Sequence, residues 1–178
     1  MTLSSSLHSP TDLWFRTNGN VPLAHLERFR QIEQDGHGPV YDWARGDEGE
    51  AVDSAAIVAL WTALALEDAR ILVMSEDPDL SDCFMGFIKD NACSDAAIRA
   101  KMTERGPHRL TFGLSEVRRV RNNAPIERLQ GYIADLVVIL GAGTTSGPLA
   151  NAIQALEDMV ASENAKPDFK KVHLIRIW

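Results

Sequence analysis

Residues 134–148 read A-D-L-V-V-I-L-G-A-G-T-T-S-G-P, and this stretch decides the fold. Asp135 to Leu140 is a continuous apolar run with β-branched residues, the pattern of a strand covered on both faces. Gly141 to Gly147 then forms a flexible loop. Pro148 suits the first position of a helix, where a missing N–H costs nothing. Leu149, Ile153, Leu156 and Val160 recur at helical spacing on one face. A buried strand followed by a glycine loop and a helix is the unit from which parallel sheets are built.

Working outward, the same alternation recurs. Residues 70–75 (R-I-L-V-M-S) predict another buried strand, and Lys170 to Trp178 a last one, with Val172, Leu174, Ile175 and Ile177 as its apolar bulk. Pro39 to Trp43 and Arg109 to Leu114 are shorter strand candidates. Glu48 to Ala69 predicts a long, largely buried helix, Leu80 to Lys89 a second and Asp95 to Glu104 a third. Ser115 to Asn122 also looks helical, and Pro125 starts a short helix running to Tyr132. Leu23 to Gln34 predicts a short amphipathic helix, which Asp35-Gly-His-Gly-Pro39 stops. Met1 to Asn20 is polar and turn-rich. The expected architecture is one α/β domain over 1–178, with a polar leader and short helix over 1–38 and the α/β core over 39–178. That core is expected as a three-layer Rossmann-like sandwich around a mostly parallel sheet of about five strands.

Composition bounds the function. The chain has 178 residues, 18 Lys+Arg against 25 Asp+Glu, and 45% hydrophobic residues. That length suits one domain that buries about 70% of its unfolded surface without a staple. A net charge of −7 argues against a nucleic-acid polymer as partner. The first ten residues hold no Lys or Arg, and the longest apolar run, Ala55 to Leu66, is too short to span a membrane, so a cytoplasmic location is expected. Cys83 and Cys93 match no metal or redox spacing. His8, His25, His37, His108 and His173 are scattered, so no metal site is expected, and no cofactor is identified.

In open α/β sheets, ligands bind outside the carboxyl ends of the strands. The loops expected there are 45–50 (R-G-D-E-G-E), 75–79 (S-E-D-P-D), Ser115 with Glu116, and 141–147. In the last of these, Gly141, Gly143 and Gly147 let backbone N–H groups approach an anion, while Thr144, Thr145 and Ser146 offer hydroxyls. The helix that follows adds its positive dipole end. This suits a phosphate, a pyrophosphate or a ribose. The loop is neither a Walker loop, lacking Gly-Lys-Ser/Thr, nor the G-x-G-x-x-G fingerprint, and a tight connection with no ligand is the alternative to the ligand contact expected here. Glu76 and Asp77 are the candidate catalytic carboxylates, able to hold a ribose, bind magnesium or act as a base. Helix capping is the plainer reading of both. Arg118, Arg119 and Arg121 form one basic cluster, expected on a helix.

The region from Ile126 to Trp178 resembles the closing half of LOG/SLOG-type and nucleoside deoxyribosyltransferase-like nucleotide-binding folds. The likeness lies in the order of elements. A helix with Glu127, Arg128 and Tyr132 leads into A-D-L-V-V-I-L-G, then come the Gly/Thr/Ser loop, a helix and the strand V-H-L-I-R-I. The resemblance implies that this region cradles a nucleotide's sugar and phosphate, with action on an N-glycosidic bond in some members. Those enzymes place a glutamate early in the helix after the loop. Here Leu149, Ala150 and Asn151 stand there, which implies binding in place of cleavage. The expected function is therefore binding of a nucleotide or phosphorylated ligand. The alternative is a non-catalytic accessory subunit, motivated by the polar leader, the early amphipathic helix and the terminal Trp178. A homo-oligomer or a partner protein stays open.

Overall fold

The computed structural model describes residues 7–34, 40–44, 49–75, 77–120, 134–141, 148–165 and 172–177. Its helices are α1 (Pro10–Asn18), α2 (Leu23–Gln34), α3 (Glu50–Ala65), α4 (Pro78–Ser94), α5 (Ala96–Arg99) and α6 (Pro148–Asn164). Its strands are β1 (Val40–Trp43), β2 (Arg70–Ser75), β3 (Met102–Glu104), β4 (Arg109–Phe112), β5 (Ser115–Val120), β6 (Leu136–Leu140) and β7 (His173–Ile177).

The seven strands form one sheet in the order β1-β7-β6-β2-β5-β4-β3. Five of them, from β1 through β5 in that order, are parallel. β4 and β3 add an antiparallel end. The expected α/β sandwich with about five strands thus holds for the parallel part, and the antiparallel pair extends it.

Side-chain alternation along the strands sorts the core into two layers. On one face, Tyr41, Trp43, Ile71, Val73, Val117, Leu136, Val138, Leu140, Ile175 and Ile177 pack with α1 to α4. On the other, Leu72, Met74, Val120, Val137, Ile139 and Leu174 pack against Ala152, Ile153, Leu156 and Val160 of α6. β6 is buried at every residue, as its unbroken apolar run requires. α3 is buried almost all round, and its alanines 51, 55, 56, 59 and 63 let the helix lie close on the sheet.

Three sequence expectations are corrected. Ser115 to Asn122 is not helical over its described part, because Ser115–Val120 is strand β5. Gly113 takes a φ of +65° and joins β4 to β5 through a two-residue turn, with Phe112 opposite Ser115. A glycine at the first central position of such a turn matches the twist of a hairpin, and this outweighs the helix propensity of Glu and Arg. Ser115 therefore sits at the amino end of a strand, remote from the carboxyl edge. Its hydroxyl accepts from the Ala69 N–H and donates to the Leu66 carbonyl, both at 3.0 Å. Asp95 to Glu104 is likewise not one helix. Asp95 caps the short α5, and β3 then pairs with β4. Finally, the polar start contains α1, opened by Ser9, whose side chain accepts from the Asp12 N–H, and by Pro10. Leu13 and Trp14 of α1 are buried. The helix expected over 125–132 lies outside the described residues, as does Trp178.

Candidate functional site

Parallel strands put their carboxyl ends on one edge. β1, β2 and β6 each lead from that edge into a helix, α3, α4 and α6 respectively. Three helix N-termini therefore gather there, each with unpaired N–H groups and the positive end of a dipole.

The first two are already supplied with negative charge. α3 begins at Gly49, with a φ of +73°, and carries Glu50 and Asp53 in its first turn. Burial pushes the Asp53 carboxyl above the ordinary carboxylate range, and nearby Glu50 pushes it further. The segment before it adds Asp47 and Glu48. At α4, Asp77 is the N-cap. Its Oδ1 accepts from the Asp79 N–H at 2.8 Å, and its carbonyl accepts from the Ser75 hydroxyl at 2.7 Å. Asp77 is thus a helix cap next to the carboxyl end of β2, the plainer of its two readings. Glu76 lies outside the described residues.

The third N-terminus differs. The first turn of α6 holds no carboxylate. β6 ends at Gly141, whose φ of +75° favours glycine, and whose N–H donates to the Ile177 carbonyl at 2.9 Å. A Cβ there would meet nothing within 4 Å, so the requirement is conformational and not one of space. Of the expected ligand-binding residues, Gly141 is placed at the end of β6. Gly143, Thr144, Thr145, Ser146 and Gly147 lie outside the described residues.

Two ion-pair groups frame this edge, and the residue pattern did not single them out as units. Arg176 of β7 donates through Nε and Nη2 to both Asp42 oxygens, at 2.6 and 2.8 Å, and through Nη1 to Glu157 of α6 at 3.1 Å. Asp42 and Arg176 are cross-strand partners, so the group ties β1, β7 and α6 together one residue before the strands end. These carboxylates hold the guanidinium pKa further above its ordinary value, the Asp42 bonds first. An Arg inside the otherwise apolar L-I-R-I was the signal for it. The second group is Arg119 of β5, which bonds Asp82 and the Pro78 carbonyl in the first turns of α4. The expected helical arginine cluster is therefore corrected: Arg118 and Arg119 lie on a strand, and Arg119 braces the α4 N-terminus.

Two cavities open elsewhere. One of about 320 Å³ is bordered by Glu33, Trp61, Leu136 and His173, at the amino ends of β6 and β7. One of about 390 Å³ runs between α6 and the β1–β7 edge, bordered by Val40, Val160, Leu174 and Arg176. Neither is bordered by Asp77 or Gly141.

An open, mostly parallel α/β sheet, with a strand that runs through Gly141 towards a helix whose first turn carries no carboxylate, defines the class: a Rossmann-like α/β fold. No protein-family profile matches the chain, and no curated protein matches it. Solved structures do. The chain is similar to the HK97 bacteriophage large terminase, with a TM-score of 0.73 and 10% identity over 99% of this chain and 38% of that one. It is also similar to the ATPase domain of the Thermus phage P74-26 large terminase, with a TM-score of 0.67 and 15% identity over 95% of this chain and 69% of that one. A mutant of the same domain gives 0.68. The chain thus spans little more than a third of the HK97 protein.

These neighbours overturn the resemblance to LOG/SLOG and nucleoside deoxyribosyltransferase-like proteins. A strand, a glycine loop, a helix and a strand in sequence are common to many nucleotide-binding sheets. Strand order separates such folds, and strand order is set by long-range pairing that a 50-residue segment does not encode. Among the described residues, no helix is long and apolar enough to cross a membrane.

Proposed function

We propose that this chain is a nucleotide-binding domain with the fold of terminase ATPase domains. The nucleotide's phosphates sit at the β6–α6 junction, over residues 141–150. The observation that carries this is the charge contrast among the three helix N-termini on the carboxyl edge. Those of α3 and α4 hold their own carboxylates, and that of α6 holds none. An incoming phosphate competes with a fixed carboxylate at the first two and meets no first-turn carboxylate at the third. Glycines 143 and 147 and the hydroxyls of Thr144, Thr145 and Ser146 supply further donors in the intervening segment.

Binding without hydrolysis is the form this takes. Neither strand-to-helix segment, A-R-G-D-E-G-E over 44–50 or G-A-G-T-T-S-G over 141–147, contains Gly-Lys-Ser/Thr. A P-loop lysine reaches the β- and γ-phosphates, and its hydroxyl partner holds magnesium. With the lysine position unfilled and acids concentrated near α3, phosphoryl transfer has little support. With the LOG-type resemblance gone, action on an N-glycosidic bond has no basis either.

Isothermal titration with ATP, ADP, AMP and GTP in the presence of magnesium tests the proposal. Saturable heat for at least one nucleotide is expected, together with its loss in Gly143→Val and no release of phosphate over hours. No heat with any nucleotide contradicts it. The missing lysine also favours a second reading, a non-catalytic accessory subunit that keeps the fold and has lost the ligand. Absence of nucleotide binding together with a stable complex in solution with another subunit would favour that one.

A further inference from the structure

The opposite ends of the strands hold a site of their own. There the cavity of about 320 Å³ opens between α2, α3 and the first residues of β6 and β7. Small-molecule sites run from roughly 300 to 1,000 Å³, so this one suits a compact ligand. Part of its border is apolar. Leu136 and Val58 are buried, and Ile32 packs against the same core. His8, Glu33, Trp61 and His173 complete it with polar and aromatic groups.

These four side chains are held by their neighbours. Trp61 Nε1 donates to the Leu7 carbonyl at 3.3 Å, and Leu7 is itself buried. The chain entering α1 is thereby fastened to α3, and it carries His8 to the rim of the cavity. The Ser9 cap fixes His8 from its other side. Glu33 Oε1 accepts from the Thr11 hydroxyl at 2.7 Å. The His173 ring stacks with Tyr41, their centroids 6.2 Å apart. Side chains ordered in advance cost a ligand little conformational entropy on binding.

The electrostatics of the cavity favour one sign of ligand. Among the described residues, Glu33 borders it and no Lys or Arg does. One hydrogen bond to Oε1 leaves the carboxylate most of its acceptor capacity. Because α2 leads to β1 and α3 to β2, both helices end at this amino edge. Each brings the negative end of its dipole, and neither carries a basic residue in its last turn. Trp61 spends its N–H on Leu7, so the indole offers the cavity its ring, whose face attracts a cation. Imidazole nitrogens at His8 and His173 add acceptors for an N–H. An anion would meet a carboxylate and two negative helix ends.

We infer that the amino-edge cavity binds an organic cation, an ammonium group on a compact apolar body. The ammonium lies between Glu33 and the Trp61 ring, and the apolar body lies against Ile32, Val58 and Leu136. The site is independent of the nucleotide edge, since it occupies the other ends of the same strands. A free amine and a lysine side chain of a partner protein share this chemistry.

Isothermal titration of the full chain with phenethylamine tests the inference. Its neutral counterpart is 2-phenylethanol, and N-acetyl-lysine methylamide stands for a protein-borne lysine. Saturable binding of at least one amine is expected, about tenfold or more tighter than that of the alcohol. Tighter binding of phenethylamine assigns the site to a free amine, and tighter binding of the blocked lysine assigns it to a partner's side chain. Glu33→Gln should weaken amine binding about tenfold and leave the alcohol unchanged. Glu27→Gln, an exposed acid on the same helix and outside the cavity border, should change it less than about twofold. No saturable binding of either amine up to several millimolar overturns the inference. So does equal binding of the alcohol, or an unaffected Glu33→Gln. Should Glu33→Gln not fold, chemical-shift mapping of the wild-type protein decides. Shifts at Ile32, Leu136 and the Trp61 indole with the amine and not with the alcohol support the inference, and shifts centred on the carboxyl edge overturn it.

Discussion

Asp77 shows how little a single residue type says by itself. As a carboxylate after a strong strand it is a candidate base, and in place it is the N-cap of α4, with Oδ1 on the Asp79 N–H. Asp77→Ala is expected to lower stability by about 1 kcal/mol in urea denaturation, whereas Asp77→Asn, which keeps the capping oxygen, should lie within a few tenths of wild type. A large loss of nucleotide affinity in Asp77→Asn would restore its ligand role. His25 shows the reverse, a residue passed over because no second histidine stands near it. It is buried against Trp14, with ring centroids 4.0 Å apart, and its Nδ1 lies 2.7 Å from the Ser54 hydroxyl. That hydroxyl donates to the Glu50 carbonyl, so it accepts from a neutral imidazole protonated at Nδ1. Burial lowers the His25 pKa from its ordinary value. The unfolded chain then takes up the proton first, and stability falls as pH drops below about 6.5. In His25→Gln the part of the urea-midpoint decline between pH 7 and 5 that belongs to this group should vanish. An unchanged decline would place it elsewhere.

At the level of elements, long apolar runs were legible and short polar ones were not. β2 and β6 stand where continuous hydrophobicity puts them, since burial on both faces leaves few alternatives for such runs. β5 was misread because Val117 and Val120 are three apart and their neighbours are good helix formers. A tertiary contact, pairing with β2 on one side and β4 on the other, decided otherwise. β1, only four residues long, is held through Arg176. Arg176→Met removes both oxygen contacts with Asp42 and leaves Asp42 and Glu157 with no guanidinium between them. Because the group is partly exposed, a cost of about 1 kcal/mol is expected, not that of a fully buried pair. Amide exchange should quicken first at Val40–Trp43. Equal acceleration across β6 and β7 would mean that β1 has no separate stability.

For the whole molecule, the alternation of strands and helices revealed the class of fold, and the shared carboxyl edge of the parallel strands followed from it. The sheet order and the antiparallel end did not, because they depend on contacts between segments far apart in the chain. Net charge was the least informative number, since +4 over residues 96–120 (six Lys+Arg against two Asp+Glu) and −11 over the rest cancel into an ordinary value. The central claim, a nucleotide at the carboxyl edge, is a claim about place. Amide chemical-shift mapping of the labelled protein during titration with magnesium-ATP tests it most directly. The account predicts saturable shifts concentrated in residues 141–152, with Glu50 to Asp53 and Asp77 to Leu80 nearly still. Shifts centred on the start of α3, or none at any nucleotide concentration up to several millimolar, would contradict it.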